Sequence, residues 1–269
     1  MYWLRYLLKE PYHAFKSPMG RQMLTLFRKY ADVPRYQPTT VRFWSYQLQV
    51  PDAFSFCWQF KEIFVDELYR FSSKHSAPRI LDCGSNVGVS ILYFKKLFPH
   101  AHITAFEADP TIANYLKKNL ETNGIQGVEI VEKAVWKDDL GVTFASDGAD
   151  GGSIKTDGNA QTIPSVRLRS ILEQESHIDF LKIDIEGAET EVLADCQDVL
   201  QHVENLFVEY HAYIGQPQYL AELLAIFTKN GFRYYIDTNQ HRSAPFVNHR
   251  YRDNNLMDLQ LNIVGYRMK

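Results

Sequence analysis

From residue 79 onward, short apolar, β-branched runs alternate with amphipathic patterns of helical period. RILDC, HITAFE, VEIVEKAV, IDFLKID, VENLFVEYH, FRYYID and LQLNIVGYR read as strands. VGVSILYFKKLF, TIANYLKKNLETNG and PQYLAELLAIFTKNG read as helices, the last ending at Gly231 as a C′ glycine. This rhythm predicts right-handed βαβ units and a mostly parallel sheet, an α/β fold. IDFLKID is too continuously apolar for an edge strand and reads as a buried parallel one. FRYYID should run parallel to the others. Residues 138–172, rich in Gly, Asp, Ser and Thr, break the rhythm and predict a β-ribbon with exposed loop, either a surface excursion or a substrate-side loop.

Residues 1–75 differ in kind, with many aromatics and with Pro11, Pro18, Pro34, Pro38 and Pro51. The chain therefore divides into an N-terminal helical, aromatic extension, 1–75, and an α/β domain, 76–269. Over 1–35, seven basic residues oppose two acidic ones. This suits a helical lid or dimer arm, or a peripheral contact of basic residues beside Trp3, Tyr6 and Leu7 with anionic lipid at the inner membrane face. Arg5, Lys9 and Pro11 interrupt the opening apolar run, so it does not read as a signal peptide or spanning helix. The whole chain is near neutral, with 29 Lys and Arg against 32 Asp and Glu, which does not suit general nucleic-acid binding. Cys57, Cys83 and Cys196 are few and widely spaced, which excludes a disulfide framework and predicts a reducing, cytoplasmic setting.

ILDCGSNVGVSILYF places Gly84 and Gly88 in a tight turn between strand and helix, where positions without side chains let a ligand approach backbone N–H groups. The spacing is GxxxG, preceded by Asp82 and containing Ser85 and Asn86. It is not the GxGxxG of a dinucleotide fold, which makes NAD the weaker candidate. Glu107 ends the next strand, nineteen residues after Gly88, where a carboxylate can accept both hydrogen bonds of a ribose diol. The glycines alone would fit an ordinary βα turn; Asp82, Asn86 and Glu107 at these offsets favour a cofactor site. In LKIDIEGAE, Asp184 and Glu186 share one side if the strand continues through Ile185, and one of the two can cap the helix that starts at Ala188. In VEYHAYIG, Glu209 and His211 share a face, so adjacent strand ends would gather all four groups.

These stretches resemble the class I S-adenosylmethionine-dependent methyltransferases, and more narrowly the FkbM-type family. The matching segments are ILDCGSNVGVS, FEADP, KAVWKDDLG and LKIDIEGAE, the last being the most family-specific, and the resemblance covers about residues 40–215. It implies a doubly wound, mostly parallel seven-stranded sheet, S-adenosyl-L-methionine as cofactor, and O-methylation of a hydroxyl on a sugar, glycan precursor or polyketide. On this reading Asp82, Gly84, Ser85, Asn86, Gly88, Glu107, Ala108, Ala134, Val135, Trp136 and Asp184 bind the cofactor. Its carboxylate would sit on the turn N–H groups, its ammonium near Asp82 or a carbonyl, its ribose on Glu107 and its adenine edge along Ala134, Val135 and Trp136. Trp136 either stacks on that ring or belongs to the core.

A hydroxyl acceptor needs a base, for which His211 is the first choice and Asp184 the second, with Glu186 and Glu209 beside them. The alternative is that Asp184, Glu209 and His211, with Glu186, hold Mg²⁺ or Ca²⁺. The loop after FRYYID carries His241, Arg242, His249, Arg250 and Arg252 against Asp253 only. Arg242, Arg250 and Arg252 would suit an anionic acceptor such as a nucleotide sugar or lipid-diphosphate-linked glycan. A solvated hairpin tip is the plainer reading of the same loop, and the chain is compatible with a homodimer. Competing functions are a nucleotide-dependent oxidoreductase, opposed by GxxxG, and a non-catalytic cofactor-binding module, opposed by the Asp184 and His211 neighbourhood.

Overall fold

The computed structural model describes residues 17–145, 153–154, 161–238, 242, 244–250 and 256–268. The N-terminal segment supplies α1 (Pro18–Tyr30), β1 (Thr39–Phe43), β2 (Tyr46–Val50) and α2 (Ala53–Phe60), which runs into a π-helical turn at Lys61–Val65. There follow β3 (Arg79–Cys83), α3 (Val89–Leu97), β4 (His102–Phe106), α4 (Pro110–Thr122), β5 (Val128–Val131) and β6 (Ala134–Trp136). Next come β7 (Val142–Ala145), β8 (Ser153–Ile154), β9 (Gln161–Ile163), β10 (Ser165–Arg167) and α5 (Leu168–Leu172). The chain continues through β11 (Ile178–Ile183), α6 (Glu189–Asp195), β12 (Val203–Tyr213), α7 (Leu220–Lys229), β13 (Arg233–Asp237) and β14 (Met257–Tyr266).

The central sheet has seven strands in the order β13-β14-β12-β11-β3-β4-β5. β5, β4, β3, β11 and β12 pair in parallel, while β14 is antiparallel to both β12 and β13. β13 therefore points the same way as the parallel strands, and the segment after it leaves from the carboxyl edge of the sheet. Strand alternation feeds two cores. Ile80, Phe180 and Phe207 join the core on one face, and Leu81, Leu181, Leu206 and Val208 join that on the other. α3 and α4 cover the first face, α6 and α7 the second.

Local chemistry explains the helix ends. Asp109 caps α4, its Oδ1 accepting from Thr111 N at 2.7 Å, with Pro110 at the first helical position. The Asp and Pro of FEADP are thus a helix start. Gly231, at φ +73°, closes α7: Gly231 N donates to Thr228 O and Phe232 N to Phe227 O, the paired bonds of a Schellman motif.

Two expectations change. The N-terminal segment is not helical alone, since β1 and β2 form an antiparallel hairpin. Its edge is held by α4: Asn119 and Asn123 Oδ1 accept from Gln49 N at 2.8 Å and Gln47 N at 2.9 Å. VEIVEKAV is two strands, because Ala134 N donates to Pro164 O and β6 leaves the sheet to pair in parallel with β10. The 138–172 region does form a ribbon, in which β7 pairs antiparallel with β8 and β9. Residues 1–16, which carry the proposed lipid contact, lie outside the described residues, as do His241, Arg252 and Asp253. Among the described residues no helix is long and apolar enough to cross a membrane.

The aromatics of the N-terminal segment explain its composition. Phe43, Phe56, Phe60 and Phe64 are buried in one cluster, Phe60 stacking on Phe64 at 5.1 Å. Phe64 meets Tyr93 of α3 edge-on at 5.3 Å, and Tyr69 meets Phe207 of β12 at 4.9 Å. The segment and one sheet face thus share a core. Phe64→Ala should cost about 3–5 kcal/mol in equilibrium unfolding, whereas Leu140→Ala, at an 88% exposed position, should stay within about 0.5 kcal/mol. A single cooperative transition is expected for both; a cost below about 1 kcal/mol for Phe64→Ala would mean that the segment unfolds separately.

Candidate active site

The carboxyl ends of β3, β11 and β12 adjoin, and the buried Lys182 organises them. Its register partner on β3 is Asp82. The ammonium donates to Gly84 O at 2.8 Å and lies 3.2 Å from Asp184 Oδ2 and 3.4 Å from Asp82 Oδ1. Burial opposes its charge, but the Asp184 and Asp82 carboxylates hold its pKa well above the ordinary lysine value. Tyr69 closes over it, the ammonium 5.9 Å from the ring centre. A lysine inside an apolar run is the signal by which this residue could have been found, since a buried ammonium needs acidic partners.

The glycine turn is shaped by this junction. A Cβ on Gly84, at φ +86°, would lie 1.8 Å from Asp184 O, and one on Gly88, at φ +94°, 2.8 Å from Leu116 Cδ1. Both glycines are thus required by packing within the chain. The turn N–H groups also have partners: Gly84 and Ser85 donate to Phe106 O, Gly88 to Ser85 O, Asn86 to Glu107 Oε2 and Val87 to Asn86 Oδ1. This corrects the expectation of an open row of donors for a carboxylate. Only the bonds of Asn86 and Val87 end on side chains that a ligand could displace. Asp82 is likewise turned inward, fully buried, with Oδ2 accepting from Ser90 Oγ at 2.6 Å, so it does not face a ligand ammonium.

Glu107 lies beside the turn, as its offset predicts. Its two oxygens accept from Asn86 N at 2.8 Å and Asp109 N at 3.0 Å, which leaves further lone-pair positions on a carboxylate. Burial raises its pKa to about 7 against the lowering effect of these bonds. Ala108 and Trp136 pack on the small cluster of Ala134, Val142 and Ile163, while Val135 is buried in the second sheet core. Trp136 is half-buried, with the Lys137 ammonium 5.1 Å from its ring centre.

β11 stops at Ile183, so Asp184 and Glu186 are not brought together by strand alternation. Glu186 adopts a left-handed conformation at φ +57° and Gly187 follows at φ +100°. This turn carries Glu186 to within 3.6 Å of His211 Nε2, between its Oε2 and the ring. Tyr213 Oη donates to Glu186 O at 3.2 Å and packs where a Gly187 side chain would stand. Neither Asp184 nor Glu186 caps the next helix. Glu189, fully buried, accepts from Ile185 N at 3.2 Å and Gly187 N at 3.0 Å, and its Oε1 lies 2.9 Å from His211 Nδ1. Nothing in the sequence pattern singles Glu189 out.

His211 is therefore held at both nitrogens. Burial works against its charge, yet Glu186, Glu189 and Glu209 raise its pKa well above the ordinary histidine value. Burial raises Glu186 to about 8 against the charge of His211, with Asp184, Glu209 and Glu189 adding to the rise. Burial and then Asp184 raise Glu209 to about 8, and Gln260 Nε2 donates to its Oε1. The candidate ligand atoms of Asp184, Glu186 and His211 all lie within 4.8 Å of one another; Glu186, not Glu209, completes that group. On the substrate side, Arg242 donates to Asp258 O of β14 and Arg250 is exposed.

The sheet order, the glycine turn after β3 and the carboxylate that follows β4 are those of the class I methyltransferase fold. The comparisons agree. The family model described as the methyltransferase FkbM domain matches residues 82–234, more than half of the chain. Methyltransferase 1 of Beauveria bassiana is 27% identical over 178 residues, covering 55% of this chain and 71% of that protein. Methyltransferase sdnD of Sordaria araneosa is 29% identical over 189 residues, covering 56% and 73%. The fold is similar to that of a SAM-dependent methyltransferase from Agrobacterium tumefaciens, with TM-score 0.51 at 10% identity over 88% of this chain and 72% of that one. The chain belongs to the FkbM methyltransferase family.

The raised carboxylates set a pH dependence of stability. Glu209 ionises near pH 4.5 when unfolded but only near 8 when folded, so the folded state binds more protons between those values and stability falls as pH rises through them. Glu209→Gln removes that loss. Its melting temperature relative to the parent chain should rise progressively from pH 5 to pH 8; a constant difference would contradict the shift.

Proposed function

We propose that the chain transfers a methyl group from S-adenosylmethionine to a hydroxyl, on a sugar or glycan precursor. The observation that carries the reading is His211 fixed between Glu189, 2.9 Å from Nδ1, and Glu186, 3.6 Å from Nε2, at the carboxyl ends of the strands. When bound, S-adenosylmethionine supplies a methyl group whose carbon–sulfur bond breaks as the acceptor oxygen attacks. Glu107, with lone pairs left beside the turn, suits its ribose, and the surface of Ala108, Ala134 and Trp136 suits its adenine.

The chain itself must orient the acceptor and take its proton. An imidazolium cannot accept a proton, so the raised pKa of His211 moves the base from its ring to Glu186 Oε2. A carboxylate raised to about 8 is a strong enough base near neutral pH, and the charged His211 beside it stabilises the ionised form. Asp184, Glu209 and Gln260 offer acceptors and donors that suit a polyhydroxylated acceptor. Arg250, on the segment leaving the carboxyl edge after β13, suits an anionic group on it.

Two experiments test this reading. S-adenosylhomocysteine at about 100 times its Kd should raise the melting temperature by a few degrees, NAD should not, and Glu107→Ala should lose most of the shift. Equal shifts with NAD, or none with either, would remove the cofactor assignment. With an acceptor that turns over, kcat should rise with pH through an apparent pKa near 8 and fall by about 10²–10⁴-fold in Glu186→Gln.

A second reading rests on the convergence of Asp184, Glu186 and His211 within 4.8 Å. A divalent cation held there would lower the pKa of the acceptor hydroxyl itself. EDTA then decides: unchanged turnover supports Glu186 as the base, and loss restored by Mg²⁺ or Ca²⁺ supports the metal.

A further inference from the structure

At the other end of β11, roughly 17 Å along the strand from Ile183, a second set of ligating side chains converges. His75 lies in the connection that joins the N-terminal segment to β3, and His177 and Asp179 stand at the start of β11. His75 Nδ1 is 2.9 Å and His177 Nε2 3.4 Å from Asp179 Oδ1, and the three ligand atoms lie within 4.8 Å of one another. The two imidazole centres are 4.7 Å apart.

The carboxylate is built into place. Asp179 is buried, Ser73 Oγ donates to its Oδ1 at 2.6 Å and Arg79 N to its Oδ2 at 2.9 Å. His75 N donates to the same Ser73 Oγ, which ties the loop to the carboxylate. The guanidinium of Arg79 is paired with Glu175 at 2.5 Å. The Nε2 of His177 is buried and faces Asp179 Oδ1 at 3.4 Å without a hydrogen bond of ordinary geometry among the described residues. The His75 side chain is 54% exposed, so the cluster opens to solvent on one side.

We propose that His75, His177 and Asp179 bind a divalent transition-metal ion of the zinc class, with solvent in the remaining position. Two imidazole nitrogens and one carboxylate suit zinc, cobalt or nickel better than the oxygen-seeking Mg²⁺ and Ca²⁺. Bonds of about 2.0–2.2 Å to a tetrahedral ion place ligand atoms about 3.3–3.6 Å apart, against the 2.9 and 3.4 Å that separate the two imidazole nitrogens from Asp179 Oδ1. With His75 Nδ1 and His177 Nε2 as the ligating nitrogens, each ring keeps its one proton on the other nitrogen, so both rings bind neutral and no redox change is involved. The ligands come from the 72–78 connection and from β11. A bound ion would therefore pin the N-terminal segment to the sheet, at the edge remote from the methyl-transfer site.

The test is titration of the full, tag-free chain with Co²⁺, read by visible absorption, followed by displacement with Zn²⁺ and thermal melts. One equivalent should bind with the spectrum of a four-coordinate cobalt site, and Zn²⁺ should raise the melting temperature by a few degrees. His75→Ala and His177→Ala should each weaken this equivalent by more than the roughly 10- to 100-fold that loss of an outer-shell partner costs. His211→Asn should retain it, which separates the site from the Asp184 cluster. Because His75 is largely exposed, its variant should keep the parent's circular dichroism. Absence of the cobalt spectrum in the parent chain, or binding unchanged in both His75→Ala and His177→Ala, would overturn the proposal.

Discussion

The buried ammonium of Lys182 is the interaction on which the active end of the sheet depends. It binds the carbonyl of Gly84 and sits between Asp82 and Asp184, so it joins the turn after β3 to the end of β11. Removing a charge from water is costly, and only the geometry of two carboxylates and a carbonyl compensates it. Glycine at position 84 follows from the same junction, because the Asp184 carbonyl lies where a side chain would stand. Two short motifs far apart in the chain are thereby one structural unit.

The second constraint is the left-handed turn at Glu186. A non-glycine residue in that region costs of order 1–3 kcal/mol, and here it is held by Tyr213 and by the Glu189 carboxylate receiving the backbone of the turn. The turn aims Glu186 at His211. Glu186, Glu189 and Glu209 raise the pKa of the buried imidazole, and burial raises that of Glu186 beside it. A histidine at the end of a strand is thus a positioning group as much as a titrating one.

The N-terminal segment belongs to this machinery through packing. Tyr69 covers Lys182 and touches Phe207, and Phe64 meets Tyr93 of α3. The helix α4 grips the hairpin edge through Asn119, whose amide also donates to Val87 O in the glycine turn. The wall of aromatic residues and the cofactor turn are therefore supported by the same side chain.

The order of strands and helices from residue 79 was legible in the sequence, because period-two and helical patterns are local and Pro, Gly and Asp mark the ends. The glycine turn, Glu107 and the meeting of the β11 and β12 ends were legible too, since strand ends in an open parallel sheet share one edge, but Glu186 reaches His211 through a left-handed turn that alternation does not predict. Other features depended on contacts between distant segments. The hairpin at 39–50 is set by asparagines of α4, and β6 leaves the sheet for a partner about thirty residues away. The inward turn of Asp82 and the closed N–H groups of residues 84–88 follow from Lys182, Ser90 and Phe106. Glu189 gave no sign of its role, because an acidic residue at a helix start reads as solvated until a buried histidine is placed against it. Sequence fixes which groups reach the strand ends; burial and nonlocal partners decide which of them keep their charge and which face a ligand.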